Sequence, residues 1–172
     1  GGFPAFETPR PRDAAQWESR RIELRRTIRR LLGDLPPLFV PKPAVLSTET
    51  KPGYAIERFT FDNGVGDPVF GCTLIPAGRT QPGPAVLYHH WHAEQYELGT
   101  RELLECVHPE LGFATGEELV RQGYVVQGID AYGFGRRRFQ GPAGAREVGA
   151  SGEAALFTTF LWEGRTLWGM MV

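Results

Sequence analysis

The sequence predicts an α/β fold in which a leading antiparallel hairpin precedes parallel strands that are joined by a crossover helix. Residues 44–75 have the pattern of strands, with turn signals at Asn63-Gly64 and Asp67-Pro68, which is typical of a hairpin. The apolar residues of 54–61 alternate apart from one slip between Ile56 and Phe59, which predicts a β-bulge in the first strand of this hairpin. Two short apolar runs, 85–88 and 124–129, are typical of buried parallel strands. Between them residues 117–122 have a helical pattern that stops at Gly123, so the three segments form a crossover unit.

Composition excludes several classes of protein. The chain has 172 residues, of which 41% are hydrophobic and 12% aromatic, and this indicates a globular domain with a core. Its 19 basic and 20 acidic residues leave a formal net charge of −1, so we expect no nucleic acid as a partner. We expect no membrane partner either, because the sequence lacks an apolar run of about 18 residues.

The number of cysteines and the first residues of the chain indicate a cellular compartment. Cys72 and Cys106 are too few and too far apart in sequence for a disulfide framework, and no signal-peptide pattern opens the chain. Both observations favour the cytoplasm, although a secreted mature form stays open because no initiator Met is present. No cofactor is predicted: in the Gly133-Phe134-Gly135 stretch, Arg138 takes the place of the third glycine of a dinucleotide loop.

Residues 1–43 are predicted to form an N-terminal arm, an accessory helix and a Pro-rich linker. Asp13 is a suitable N-cap and Gly33 a suitable stop for the helix. Glu18 and Glu23 interleave with the basic residues of the polar face, which favours a solvated surface over a membrane or nucleic-acid patch. The basic residues are Arg20, Arg21, Arg25, Arg26, Arg29 and Arg30.

Three motifs together resemble the α/β-hydrolase fold family, in particular its dienelactone-hydrolase-like and acetyl-xylan-esterase-like members. They are the hairpin ending in Leu-Ile-Pro at 74–76, the strand-to-loop step PAVLYHHWH at 84–92, and the strand GYVVQGIDAYGFGR at 123–136. The resemblance covers residues 54–172 and implies the N-terminal half of an α/β-hydrolase sheet. It also implies a carboxylic ester hydrolase with a Ser-His-acid triad and a small-molecule ester as substrate.

The resemblance implies a site in the loop after residues 85–88. That loop supplies backbone N–H groups to the oxyanion of the tetrahedral intermediate, and here Trp91 and His92 are the candidate donors. We expect at least one N–H in residues 91–93 to lack a partner within the chain. Trp91 stands where the family usually has Gly, so it is a candidate aromatic wall. His90, Trp91 and Tyr132 are the candidate substrate contacts.

The nucleophile is not found in the sequence. The serines are Ser19, Ser47 and Ser151, and the surroundings of Ser151, GASGE, fail the G-x-S-x-G pattern. We interpret Ser151 as a helix N-cap. The resemblance then implies that residues 44–172 are a front half truncated before the nucleophile elbow. The triad is expected beyond residue 172, in a C-terminal half that acts as a partner, and residues 154–172 are predicted to be an uncapped helix.

One alternative is a complete, non-catalytic or metal-binding α/β domain. His89, His90 and His92 form a cluster near further candidate metal ligands, and His-x-His places two imidazoles on one face of a strand. The cluster follows the end of the predicted strand, however, so no metal is predicted. Asp130 is predicted to order the turn that follows it by accepting backbone N–H bonds. The further candidate ligands are Glu94, Cys106 and His108.

Overall fold

A computed structural model describes residues 9–33, 38–64, 66–91, 95–140 and 149–165. In these ranges five strands form one sheet in the order β1-β2-β3-β5-β4. The strands are β1 (Ala44–Lys51), β2 (Tyr54–Asp62), β3 (Pro68–Pro76), β4 (Ala85–Tyr88) and β5 (Val125–Ile129). The helices are α1 (Ala14–Leu32), α2 (Thr115–Arg121) and α3 (Ala150–Trp162), with 3-10 helices at Gly99–Leu103 and Gly135–Arg137.

The predicted change from antiparallel to parallel pairing is confirmed. β1, β2 and β3 pair antiparallel, β3 pairs antiparallel with β5, and β4 lies parallel to β5. The 3-10 helix Gly99–Leu103 and α2 lie in the connection between β4 and β5. The carboxyl ends of β4 and β5 therefore meet at one edge of the sheet, where open α/β sheets hold their ligands.

The predicted bulge in β2 is wrong. β2 and β3 pair without a break from Tyr54 to Asp62, and the register shift falls in β1 between Val45 and Ser47. Because β2 stays regular, Tyr54 and Ile56 point to one face of the sheet and Phe59 to the other. All three side chains are buried, so the slip in the pattern marks a strand that is covered on both faces.

The core lies between one face of the sheet and the β4–β5 connection. Ile56, Leu74 and Val126 come from β2, β3 and β5, and they pack with Leu103 and Val120 from the connection. All five are at most 1% exposed. Burial of such side chains is the main favourable contribution to folding, so this cluster fixes the connection on the sheet.

Helix α1 begins and ends as predicted. The Asp13 carboxylate accepts the N–H of Gln16, and Gly33 ends the helix with φ of 77°. None of its residues is buried, and the Arg21–Glu18 ion pair lies on the surface. The polar face is therefore solvated, as predicted. No helix in the described part of the chain is long and apolar enough to cross a bilayer.

Helix α3 differs from the prediction. It spans Ala150–Trp162, so it begins four residues before the predicted start at residue 154. Residues 166–172 of the predicted helix lie outside the described ranges. Gly149 occupies the N-cap position with φ of 66°, so the helix starts directly after this left-handed residue. Ser151 is consequently a residue of the first turn, and the prediction that it is the N-cap is wrong.

The outer edge of β4 predicts self-association of the 172-residue chain. Among the described strands β4 has a neighbour on one side only, and the Leu87 side chain is 63% exposed. Unpaired, apolar edges promote association, and lysine on such an edge opposes it. In sedimentation velocity experiments we expect a concentration-dependent dimer or larger species, which Leu87→Lys weakens. Leu38→Lys, in a fully exposed position outside the sheet, is the control. A monomer at every concentration of the unmodified chain would contradict the prediction.

Candidate functional site

The loops that follow β4 and β5 are joined by a hydrogen bond. The Ala131 N–H donates to Nε2 of His90, at 3.0 Å. Because Nε2 accepts this bond, Nδ1 is left to donate to the Trp91 carbonyl, which lies 3.1 Å away. The ring centroids of His90 and Phe134 are 5.0 Å apart. Both ring nitrogens of His90 are thus engaged within the protein, and its contact with substrate stays a prediction.

A buried glutamate holds the loop after β4. Glu102 is only 3% exposed; its Oε1 accepts the Tyr88 hydroxyl at 2.6 Å and its Oε2 accepts the Trp91 N–H at 2.5 Å. Burial and the hydrogen bond to this carboxylate raise the pKa of Tyr88 to about 12. The carboxylate therefore connects the last residue of β4 with the loop that follows it.

The Trp91 N–H, which the sequence predicts as an oxyanion donor, already donates a hydrogen bond within the chain. It is not the unpartnered donor that the sequence led us to expect, because the Glu102 carboxylate accepts it. His92 and Ala93 lie outside the described residues, so the second candidate stays a prediction. Glu102 was missed by sequence reasoning. The one available signal was a charged residue beside the apolar pair Leu103-Leu104, which does not by itself indicate a site.

The Trp91 side chain forms an exposed aromatic surface at the loop. Its indole is tilted against the His108 imidazole, with ring centroids 4.6 Å apart, and the residue is about half exposed. The thiol of Cys106 donates to the His108 carbonyl at 3.3 Å. The ring contact holds the Trp91 indole against the His108 imidazole.

The His-cluster alternative has no support in the described part of the chain. There, no three His, Cys, Asp or Glu side chains come together as a set of metal ligands. His92 and Glu94 belong to the residues that are not described. His90 instead binds Ala131, and His108 packs against Trp91.

The structural role predicted for Asp130 is confirmed. Its Oδ1 accepts the Thr100 N–H at 2.7 Å, its Oδ2 accepts the Arg136 N–H at 2.9 Å, and the residue is 2% exposed. A buried carboxylate is stable only when its oxygens accept hydrogen bonds, and two backbone donors supply them here. Asp130 thereby ties the β4–β5 connection to the turn after β5.

The turn after β5 also engages Tyr132. The Tyr132 hydroxyl donates to the Gln140 carbonyl at 2.9 Å. The guanidinium of Arg137, which is mostly buried, lies 5.2 Å from the Tyr132 ring centroid and donates to the Asp130 carbonyl at 3.3 Å. Tyr132 therefore helps to order the turn, and its predicted contact with substrate stays untested by these contacts.

Known proteins share this architecture. No protein-family model matches the chain. A Bacillus subtilis (strain 168) protein named "Putative hydrolase YtaP" is 32% identical over 152 residues, which are 88% of this chain and 47% of that protein. A crystal structure titled as a "putative acetyl xylan esterase" from Bacteroides fragilis NCTC 9343 has a TM-score of 0.65 and 17% identity, and the match covers 90% of this chain and 40% of that one.

The chain has an esterase-like α/β fold. The structural neighbour establishes the fold, and the Bacillus relative, which carries a hydrolase name, points to the same broad class. The chain spans about half the length of that relative. The resemblance drawn from the strand and loop motifs is confirmed for the fold.

Crowding around Asp130 predicts different effects of two glycine substitutions. Both Gly133 and Gly135 have positive φ, 82° and 49°, so Ala is strained at either position. A Cβ at Gly135 would lie 2.6 Å from the Asp130 carboxylate, whereas a Cβ at Gly133 meets nothing within 4 Å. We expect Gly135→Ala to lower the free energy of unfolding by roughly 1–3 kcal/mol more than Gly133→Ala, the usual cost of overpacking. Urea unfolding measures both, and equal losses would contradict the role given to Asp130.

Proposed function

We propose that this chain contributes the oxyanion side of the active site of a serine ester hydrolase. The single observation that carries the proposal is the hydrogen bond between Ala131 and His90, which joins the two loops at the carboxyl edge of the sheet. The hydrolase name of the Bacillus relative and the esterase-like fold support the reaction class. The substrate is a small-molecule ester.

The reaction needs groups that the proposal assigns to a segment beyond residue 172. A serine oxygen attacks the carbonyl carbon while a histidine takes the serine proton. The tetrahedral intermediate then collapses, the bond to the leaving oxygen breaks, and the histidine gives its proton to that oxygen so that the alcohol leaves. Water then releases the acid from the acyl-enzyme by the same route. Two observations support this assignment: Ser151 lies in the first turn of α3, and the match covers only 47% of the relative.

The loop after β4 has two roles in this proposal. Glu102 holds the Trp91 N–H, so Trp91 shapes the loop and offers its half-exposed indole as a wall for the acyl or alcohol group. The His92 N–H then becomes the donor to the oxyanion, with a second donor from the residue after the nucleophile. His90 fixes the distance between the two loops through Ala131.

The placement of the nucleophile can be tested by comparing the 172-residue chain with a longer protein that includes a C-terminal half. We expect only the longer protein to hydrolyse p-nitrophenyl acetate and to react with a fluorophosphonate probe, because only it holds the serine. Mass spectrometry of the probe adduct locates that serine. Stoichiometric labelling of Ser151 in either protein would overturn the assignment.

The oxyanion donor can be tested in the longer protein at His92. His92→Pro removes the backbone N–H, whereas His92→Ala keeps it and removes only the imidazole. We expect His92→Pro to lower kcat by roughly 10²–10³, the usual effect of losing one oxyanion donor, with little change in KM. His92→Ala should retain most of kcat. Equal kcat values for the two folded variants would exclude the His92 N–H as donor.

A further inference from the structure

A second cleft lies on the face of the sheet that carries the core, beside the site described above. It has a volume of about 500 Å³, within the range of small-molecule sites. Phe70, Gly71 and Cys72 of β3 line it, together with residues of the segments 97–105 and 135–138. None of residues 89–91 lines it, so it is distinct from the described part of the loop after β4.

Four arginines line the cleft, and two of them have carboxylate partners. Arg58 pairs with Glu49 at 3.2 Å and Arg101 pairs with Glu105 at 2.7 Å. The other two, Arg136 and Arg138, form no ion pair with the described part of the chain. Two guanidinium groups are therefore available to an anion.

Arg136 is held in place at both ends. Its backbone N–H donates to Asp130, and its guanidinium lies over the Phe70 ring, 3.8 Å from the centroid. Stacking on an aromatic ring occupies one face of the guanidinium and leaves the N–H groups along its edge able to donate. The side chain is thus already ordered, which lowers the entropy lost when an anion binds.

Arg138 contributes a buried donor without an acceptor. Its Nε is buried and has no hydrogen-bond partner among residues 9–33, 38–64, 66–91, 95–140 and 149–165. Buried donors in native proteins almost always have a partner, and a missing ion or ligand is one explanation for an exception. Arg138 also lines the cleft, so a ligand there lies against the same side chain.

We propose that this cleft binds a small organic monocarboxylate, with the carboxylate on Arg136 and Arg138 and an apolar body against Leu98 and Leu104. Planar carboxylates match the fork of donors on a guanidinium. Because Glu49 and Glu105 pair with Arg58 and Arg101, Arg136 and Arg138 remain as the donors for the anion, and they suffice for one carboxylate. The proposal is independent of the proposed ester hydrolysis. The cleft also carries the carboxylates of Glu97 and Asp130, which disfavour a ligand with a second negative charge.

Calorimetric titration of the full chain with benzoate at low ionic strength tests this site. We expect benzoate to bind and benzamide, a neutral molecule of the same shape, to bind at least about ten-fold more weakly. Arg136→Gln and Arg138→Gln should each weaken benzoate binding by about ten-fold or more, since each removes a charge-assisted contact. Arg26→Gln removes the same charge from the exposed helix α1 and should leave the affinity unchanged.

Each other outcome overturns the proposal in a defined way. Equal binding of benzamide would indicate an apolar cleft without a carboxylate site, and an unchanged affinity in Arg138→Gln would place the anion elsewhere. Tighter binding of inorganic phosphate than of benzoate would exclude a monocarboxylate site. Absence of benzoate binding at millimolar concentration would exclude the site altogether. Circular dichroism verifies folding, and Arg138→Gln decides the matter alone if Arg136→Gln is unfolded.

Discussion

The buried carboxylate of Asp130 is the constraint on which both the loop site and the second cleft depend. It binds the N–H of Thr100 in the β4–β5 connection and the N–H of Arg136 in the turn after β5. A carboxylate at this depth costs several kcal/mol unless donors surround it, so both segments must keep their positions for the charge to be tolerated. Gly99 and Gly135 make room, because a Cβ on either would lie against the carboxylate.

Glu102 is a second buried carboxyl group whose two oxygens accept hydrogen bonds, here at the end of β4. Its two oxygens bind the hydroxyl of Tyr88 at the end of β4 and the N–H of Trp91 in the next loop. Glu102 lies in the β4–β5 connection, whereas Asp130 follows β5 and binds that connection through the Thr100 N–H. Each of the two carboxylates fixes a loop at the carboxyl edge of the sheet. Loops that carry function are usually mobile unless a scaffold holds them, and here two buried carboxyl groups hold them through hydrogen bonds.

The loop site and the second cleft lie on either side of the turn that Asp130 orders. Ala131, the next residue, donates to His90 in the loop after β4, while Arg136 and Arg138 in the same turn reach the cleft. Residues 131–138 therefore contact both regions. The turn after β5 therefore helps to position both the loop after β4 and the arginines of the second cleft.

The sequence by itself determined the fold class and most of the elements. The four-residue strand 85–88 and the strand near 125–129 were predictable because continuous apolar runs between turn residues have few other stable conformations. Asp13, Gly33 and Gly123 marked helix ends because capping depends on local backbone chemistry. The local Asx preference of Asp130 likewise predicted its structural role, since one of its bonds reaches only six residues along the chain.

Only the tertiary structure decided which groups meet. Glu102 and Trp91 are eleven residues apart with no regular element spanning them, and Thr100 meets Asp130 across thirty residues, so no local periodicity encodes either contact. Helix α3 begins at Ala150 because Gly149 before it has a left-handed backbone conformation. The alternation of apolar residues is broken in β2, although its pairing is regular, because both faces of that strand are buried. The arginines of the cleft come from β2, the β4–β5 connection and the turn after β5. Sequence patterns report the environment of one element at a time, whereas a site is formed where several elements converge.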